Sequence, residues 1–150
     1  MTIDLDELSD RLAVRAIVDA YAHHVDRREH AATAALFVED GHLIIYDGQP
    51  NGQPPNRERH GREQIERAMH SLDRYVATSH LLGQHVVVLA GDTADGETYC
   101  FAQHIAETDD SRTNMVMAIR YLDHFVRTAD GWRIETRKLA VDWTETRPMH

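Results

Sequence analysis

Asp26 and His80 are the two side chains whose types and placement first suggest chemistry. Asp26 closes the stretch Tyr21-Ala22-His23-His24-Val25-Asp26. His80 opens the apolar run His80-Leu81-Leu82-Gly83-Gln84-His85-Val86-Val87-Val88-Leu89. A carboxylate that meets an imidazole orients the ring and stabilises its charged form, so the ring can serve as a general base near neutral pH. Asp26 continues the row Val18, Ala22, Asp26 at helical spacing, on the border of an apolar face, where a partly desolvated carboxylate needs a partner. The plainer readings are an Asp26 paired with Arg27 or Arg28 in solvent and a His80 satisfied in the core.

Three further residues are candidates. His104 shares a strand face with Thr98, Cys100, Ala102 and Ala106. Small neighbours leave room for a ligand, which suits a cavity wall; otherwise it is a strand-end histidine near solvent. Arg137 lies on the face of Leu139, Val141 and Trp143, where a charge needs either a carboxylate partner or an anionic ligand group. Tyr21 most simply fills the core with its hydroxyl on a polar partner, and its other reading is a pocket acid or hydrogen-bond donor.

Other chemistries find less support. His23, His24 and Asp26 invite a metal, but adjacent helix residues point about 100° apart, and no His-x-x-x-His on a helix comes with a third ligand. No metal and no cofactor are expected. Ser79 and His80 are strand neighbours facing opposite sides, not a nucleophile pair, and no Gly-rich phosphate loop is present. The net charge of −9 argues against nucleic acid, and no basic tract suits an anionic membrane. The single cysteine, Cys100, cannot form an internal disulfide, which fits a reducing, cytoplasmic location. No apolar run approaches the roughly 20 residues of a membrane span, and the acidic N-terminus does not read as a signal peptide.

The elements that must position these residues follow from periodicity. One domain over residues 1–150 is expected, with no repeats. Residues 4–26 read as a helix capped by Asp4, with Glu7 completing a capping box and Leu8, Leu12, Val14, Val18, Tyr21 and Val25 on one side. A short helix is expected at 29–38, a strand at His42–Tyr46, and a third helix at 62–74. Residues 47–60, with three of the four prolines, read as a mobile loop. Four long strands fit 78–90, 95–108, 113–127 and 132–143, separated by turns. Helices followed by a meander predict an α+β fold: a strongly curved, mostly antiparallel sheet with the helices on one face. Apolar residues on both strand faces, Val87, Leu89, Val116 and Leu122 among them, predict that the second face meets another subunit.

In this order, Tyr21…Asp26, then Leu36-Phe37-Val38-Glu39-Asp40-Gly41, Gly61-Arg62-Glu63-Gln64-Ile65, Ser79-His80…Val86, Gly91-Asp92-Thr93-Ala94 and Asp130-Gly131-Trp132-Arg133-Ile134…Arg137 resemble the SnoaL-like branch of the nuclear transport factor 2-like superfamily. The resemblance spans about residues 6 to 145 and implies a cone-shaped sheet enclosing a deep apolar pocket. Members include dehydratases, a dehydrochlorinase, a steroid isomerase, polyketide cyclases and proteins without known catalysis. The resemblance implies an Asp at the helix end and a His at the strand start, matched by Asp26 and His80. It also implies roles for Tyr21, His104 and Arg137, each matched in a different member. The expectation is a cofactor-free lyase of the dehydratase type acting on a small, mostly apolar ring compound, with His80 as base and Asp26 as its orienter. A trimer is favoured over a dimer, as in the dehydratases it resembles. The alternatives are an isomerase or cyclase using the same base, and a binding or assembly module without catalysis.

Overall fold

Helix α1 (Leu5–Asp26) starts at Asp4, whose carboxylate accepts from the backbone N–H groups of Asp6 and Glu7 at 3.0 and 3.3 Å. The computed structural model describes Thr2 and residues 4–150. Glu7 pairs with Arg11, so Asp4 caps by itself. The buried stripe runs Val14, Ile17, Val18, Tyr21, Ala22, Val25, and each fully buried large apolar side chain contributes about 1.5–3 kcal/mol. Leu8 and Leu12, expected on this side, are exposed. Leu12 lies two residues before Val14, about 200° round the helix, so the stripe passes instead through Asp10 and Arg11. Asp10 accepts from Trp132 Nε1 and pairs with Arg127, which fastens that end of the helix.

The helix ends at a turn rather than a glycine. Arg28 takes φ 61°, a left-handed conformation that is uncommon for a residue with a side chain. The amide of Glu29 reaches back to the His24 carbonyl at 2.9 Å, which closes the helix end. Helices α2 (His30–Ala35) and α3 (Gly61–Met69) follow, the latter running into a 3-10 turn, His70–Arg74. The expected third helix is thus divided between two helix types.

Six strands form one curved, unclosed sheet: β1 (Phe37–Asp47), β2 (Arg57–His60), β3 (Ala77–Ala90), β4 (Thr93–Glu107), β5 (Arg112–Thr128) and β6 (Gly131–Pro148). The spatial order is β2-β1-β6-β5-β4-β3. All neighbours are antiparallel except β1 and β6. The parallel pair joins β1, first in sequence, to β6, the strand that ends the chain. Strand β2 lies inside the segment 47–60 expected as loop; four residues pair with β1, from His42↔His60 to Ile45↔Arg57.

Two irregularities decide which side chains face inward. Between Leu82↔Cys100 and His85↔Thr98, β3 carries one residue more than β4. A one-residue bulge reverses the pleat beyond it. Val87 and Leu89 therefore pack on the core, against expectation, and Val86 and Val88 face out. A similar step between Ala118↔Trp143 and Ile119↔Val141 moves Trp143 to the face opposite Arg137. The outer face then presents the cross-strand row Leu81, Phe101, Ala118, Trp143, with Leu81, Phe101 and Trp143 69%, 50% and 47% exposed.

Candidate active site

Helix α1 crosses the inner face of β3, and its last residue meets the start of that strand. His80 Nδ1 lies 2.7 Å from Asp26 Oδ1, and the His80 amide donates to Asp26 Oδ2 at 2.9 Å. The Thr78 hydroxyl, one pleat earlier on the same strand face, donates to Asp26 Oδ1 at 3.0 Å. Burial pushes the Asp26 carboxyl up, but the bonds from the His80 ring and amide and from Thr78 outweigh it and hold the group below its ordinary 3.8. Asp26 is thus ionised and can only accept. The bridging proton therefore sits on His80 Nδ1, and in the neutral ring Nε2 carries the lone pair.

Thr78 is held in turn. Arg28 Nη1 donates to the Thr78 hydroxyl at 2.8 Å and to the Val25 carbonyl at 3.1 Å, and Nη2 donates to the Tyr75 carbonyl at 3.2 Å. The left-handed backbone of Arg28 turns its side chain back beneath the helix end. Residues in such conformations persist where their surroundings over-determine them.

His80 lines a cavity of about 400 Å³ together with Tyr21, Tyr75, His104 and Tyr121, between apolar walls that include Val25, Leu72, Met117 and Leu139. The His104 ring lies 5.8 Å from that of His80 and 5.0 Å from that of Tyr75. Its Nδ1 bonds the Met115 carbonyl at 3.3 Å. A carbonyl can only accept, so Nδ1 carries the proton and Nε2 is an acceptor. Burial, joined by the neighbouring His80, holds the His104 pKa below its ordinary 6.5. Tyr21 is 3% exposed, and burial raises its phenol above its ordinary 10, so it is a hydroxyl donor at neutral pH.

Arg137 stands behind this wall. It is fully buried and makes two 2.8 Å bonds, from Nε and Nη2, to the two oxygens of Asp123. Of the partners open to it, a carboxylate or an anionic ligand group, the structure supplies the carboxylate. Its guanidinium lies 4.1 Å from the ring centres of both Tyr21 and Tyr121. Arg137 therefore touches the cavity only through these tyrosines.

Asp26 joins neither His23 nor His24. Those two, at adjacent helix positions, nevertheless bring ligand atoms within 4.8 Å of Glu29, because the turn after α1 folds Glu29 back on them. His30, His70 and Asp73, and His42, Glu58 and His60, form similar groups. Histidine–carboxylate contacts account for each. Cys100 is buried, its thiol pushed up to about 11 by burial, so it is no nucleophile at neutral pH. Among the described residues, no helix is long and apolar enough to cross a membrane.

Thr78, Arg28, Tyr75, Tyr121 and Asp123 were missed from sequence. Two left a signal. Thr78 is two residues before His80 and so shares its face, and Asp123 interrupts the apolar alternation Tyr121, Asp123, Phe125.

The SnoaL-like domain family model matches residues 6–138. An uncharacterized protein of Mycobacterium tuberculosis is 27% identical over 135 residues, covering 90% of this chain and 87% of that protein. The structure of a candidate scytalone dehydratase from Novosphingobium aromaticivorans is similar with a TM-score of 0.77 at 23% identity, covering 96% of this chain and 90% of that one. A hexachlorocyclohexane dehydrochlorinase from Novosphingobium barchaimii gives a TM-score of 0.77 at 15% identity, covering 98% and 94%. At these identities the two structures speak to the fold.

Proposed function

This chain belongs to the SnoaL-like domain family, and on that premise we propose that it is a cofactor-independent lyase of the dehydratase type acting on a small ring compound. One observation carries the reading: an ionised carboxylate, Asp26, holds His80 by Nδ1 and leaves Nε2 as the lone-pair nitrogen of a residue that lines an apolar cavity. The fold shared with a candidate scytalone dehydratase and a dehydrochlorinase supports the same class.

In this mechanism His80 Nε2 takes a proton from a ring carbon acidified by a neighbouring carbonyl or by a good leaving group. The C–H electron pair forms the new double bond as the bond to the leaving oxygen breaks, and the imidazolium formed rests against Asp26. The protonated Tyr21 phenol donates to the carbonyl or to the departing oxygen. His104, neutral and with Nε2 free to accept, orients a substrate hydroxyl. Arg137 positions Tyr21 and Tyr121 from behind. An isomerase or cyclase would use the same base without losing water, and the mass of the product separates these reactions from dehydration.

The test needs no knowledge of the natural substrate. Uptake of deuterium into 2-tetralone in D2O, followed by proton NMR, reports abstraction of a proton next to a ring carbonyl. The wild type should accelerate it, and folded Asp26→Asn and His80→Gln variants should not. Full exchange activity in either variant removes the assigned roles.

We infer further that the protein is a homo-oligomer, with a trimer favoured over a dimer, through the apolar row Leu81, Phe101 and Trp143 on the outer sheet face. Light scattering should report more than one chain at micromolar concentration, and a Phe101→Glu/Trp143→Glu variant should be monomeric. A wild-type monomer would defeat the inference.

A further inference from the structure

The cavity mouth carries a charge that the protein as a whole does not. The chain has a net charge of −9 with 16 Lys and Arg residues, yet four arginines line this one cavity: Arg57, Arg59, Arg67 and Arg74. No Asp or Glu lines it among the described residues. The concentration is built from three successive elements in one stretch of chain, residues 57–74. In β2 the alternation Arg57-Glu58-Arg59-His60 sends both arginines to the side of their β1 partners Ile45 and Leu43. Glu58 and His60 go to the other side, where Glu58 contacts His42 and His60. Arg67 comes from α3 and Arg74 from the 3-10 turn that follows it.

Three of these guanidinium groups lack a carboxylate. Arg67 is paired with Glu63. Arg59 donates to the Glu58 backbone carbonyl at 2.7 Å, and Arg74 donates to the Tyr75 hydroxyl at 2.9 Å. Among the described residues, Arg57, Arg59 and Arg74 have no acidic partner. Arg74 also lies 4.9 Å from the centre of the Tyr75 ring, which lies 5.0 Å from His104, itself 5.8 Å from His80. A chain of contacts thus runs from the cationic mouth to the base. Guanidinium groups with free donors match planar or tetrahedral oxyanions, and a positive mouth with apolar walls concentrates an anion against the field of an acidic protein.

We propose that the ring compound taken by this cavity bears an anionic group, a carboxylate or a phosphate, which Arg57, Arg59 and Arg74 hold at the mouth while the ring lies against His80 and His104. The proposal rests on the reading of the cavity as a ring-binding site. It gives the apolar pocket a polarity: ring inward, oxyanion outward.

Isothermal titration of the whole protein with 2-naphthol, 2-naphthoate and 2-naphthyl phosphate, at low and at high salt, tests it. An exposed charge pair contributes at most about fivefold in affinity, so several must act together. At low salt at least one of the two anions should bind about tenfold or more tighter than naphthol, and salt should shrink that advantage as it screens the exposed arginines. The anion with the advantage, naphthoate or the phosphate ester, identifies the group. An Arg57→Gln/Arg59→Gln variant should lose most of the advantage and an Arg74→Gln variant up to about fivefold of it, and both should bind naphthol as the wild type does. Naphthol binding as tightly as both anions in the wild type, or an anion advantage unchanged in both variants, overturns the arginine mouth while leaving the apolar pocket standing. Failure of all three compounds to bind overturns the ring-binding reading, and this inference with it.

Discussion

Asp26 and Asp123 each hold one basic side chain on the inner face of the sheet. Asp26 meets His80 through one 2.7 Å ring bond, with the carboxylate 27% exposed. Asp123 meets Arg137 through two 2.8 Å bonds, with both side chains 0% exposed and the ring centres of Tyr21 and Tyr121 each 4.1 Å from the guanidinium. The first pair joins a group that can exchange a proton to one that stays charged. The second joins a carboxylate to a guanidinium that keeps its proton. Burial holds Arg137 down, but Asp123 and the two flanking tyrosines outweigh it and raise the guanidinium above its ordinary range, so it cannot release a proton. The base proposed for this cavity is therefore the histidine at its wall, while the arginine behind the wall keeps its proton. Such a pair is weak as a net contributor to stability but costly to break from one side.

The sharpest way to break this comparison is to remove charge from each pair in turn. Asp26→Asn should lower proton-exchange activity by about 10²–10⁴-fold at a cost in stability far smaller than that of breaking the buried pair. Arg137→Ala should act mainly on stability, costing about 3–5 kcal/mol in urea unfolding because Asp123 is left buried and uncompensated, with a smaller loss of activity through the tyrosines it positions. Asp123→Leu with Arg137→Met should recover most of that loss, since an apolar pair of similar volume leaves no orphaned charge. If Asp26→Asn unfolds the protein or Arg137→Ala leaves stability intact, the division of labour between the two pairs is wrong.

A smaller effect sharpens the cavity side. The folded-state pKa of His104 lies below 6.5, chiefly because burial disfavours its charged form. Between that lowered value and the unfolded value of about 6.5, the unfolded chain binds more protons than the folded one, so stability rises with pH across that window. Acidification from neutral should destabilise the protein with a slope of at most about 1.4 kcal/mol per pH unit from this group. His104→Gln should flatten the slope, which thermal melts over a pH series would show. Asp26, depressed by its bonds, contributes stability that is present above its ordinary 3.8 and lost as pH falls further. A slope that His104→Gln leaves unchanged would assign the acid sensitivity elsewhere.

The smallest expected effect lies at the mouth. Residues 48–56 keep the glycines, asparagines and prolines that suggested a mobile loop, and they lead directly into β2 and its arginines. Hydrogen exchange should be fast there in the free protein and slower with 2-naphthoate bound, as for a segment that closes over ligand. Strong protection in the free protein would make the segment a fixed insert.

Much of this molecule was legible before any coordinates. Helix α1 announced itself through Asp4 and the stripe ending at Val25, and the long strands through alternation and turn residues. Asp26 and His80 were legible as ends of elements, because a helix end and a strand start are local events. Other features were not. The apolar faces of β3 and β6 were misread at Val87, Leu89 and Trp143, because a single inserted residue reverses a pleat and leaves no mark in composition. Strand β2 was hidden because Arg57-Glu58-Arg59-His60 has no apolar residue to signal burial and becomes a strand only by pairing with β1. The partner of Arg137 was one of two alternatives until register put Asp123 directly across from it.

The sequence by itself thus determined α1 and the long strands and offered the candidate residues for chemistry, since periodicity and capping depend on neighbours a few positions apart. Only the tertiary structure decided who meets whom: Asp26 with His80 and Asp123 with Arg137. Those meetings depend on register, bulges and the parallel pairing of β1 with β6, and each is settled by contacts between residues far apart in the chain.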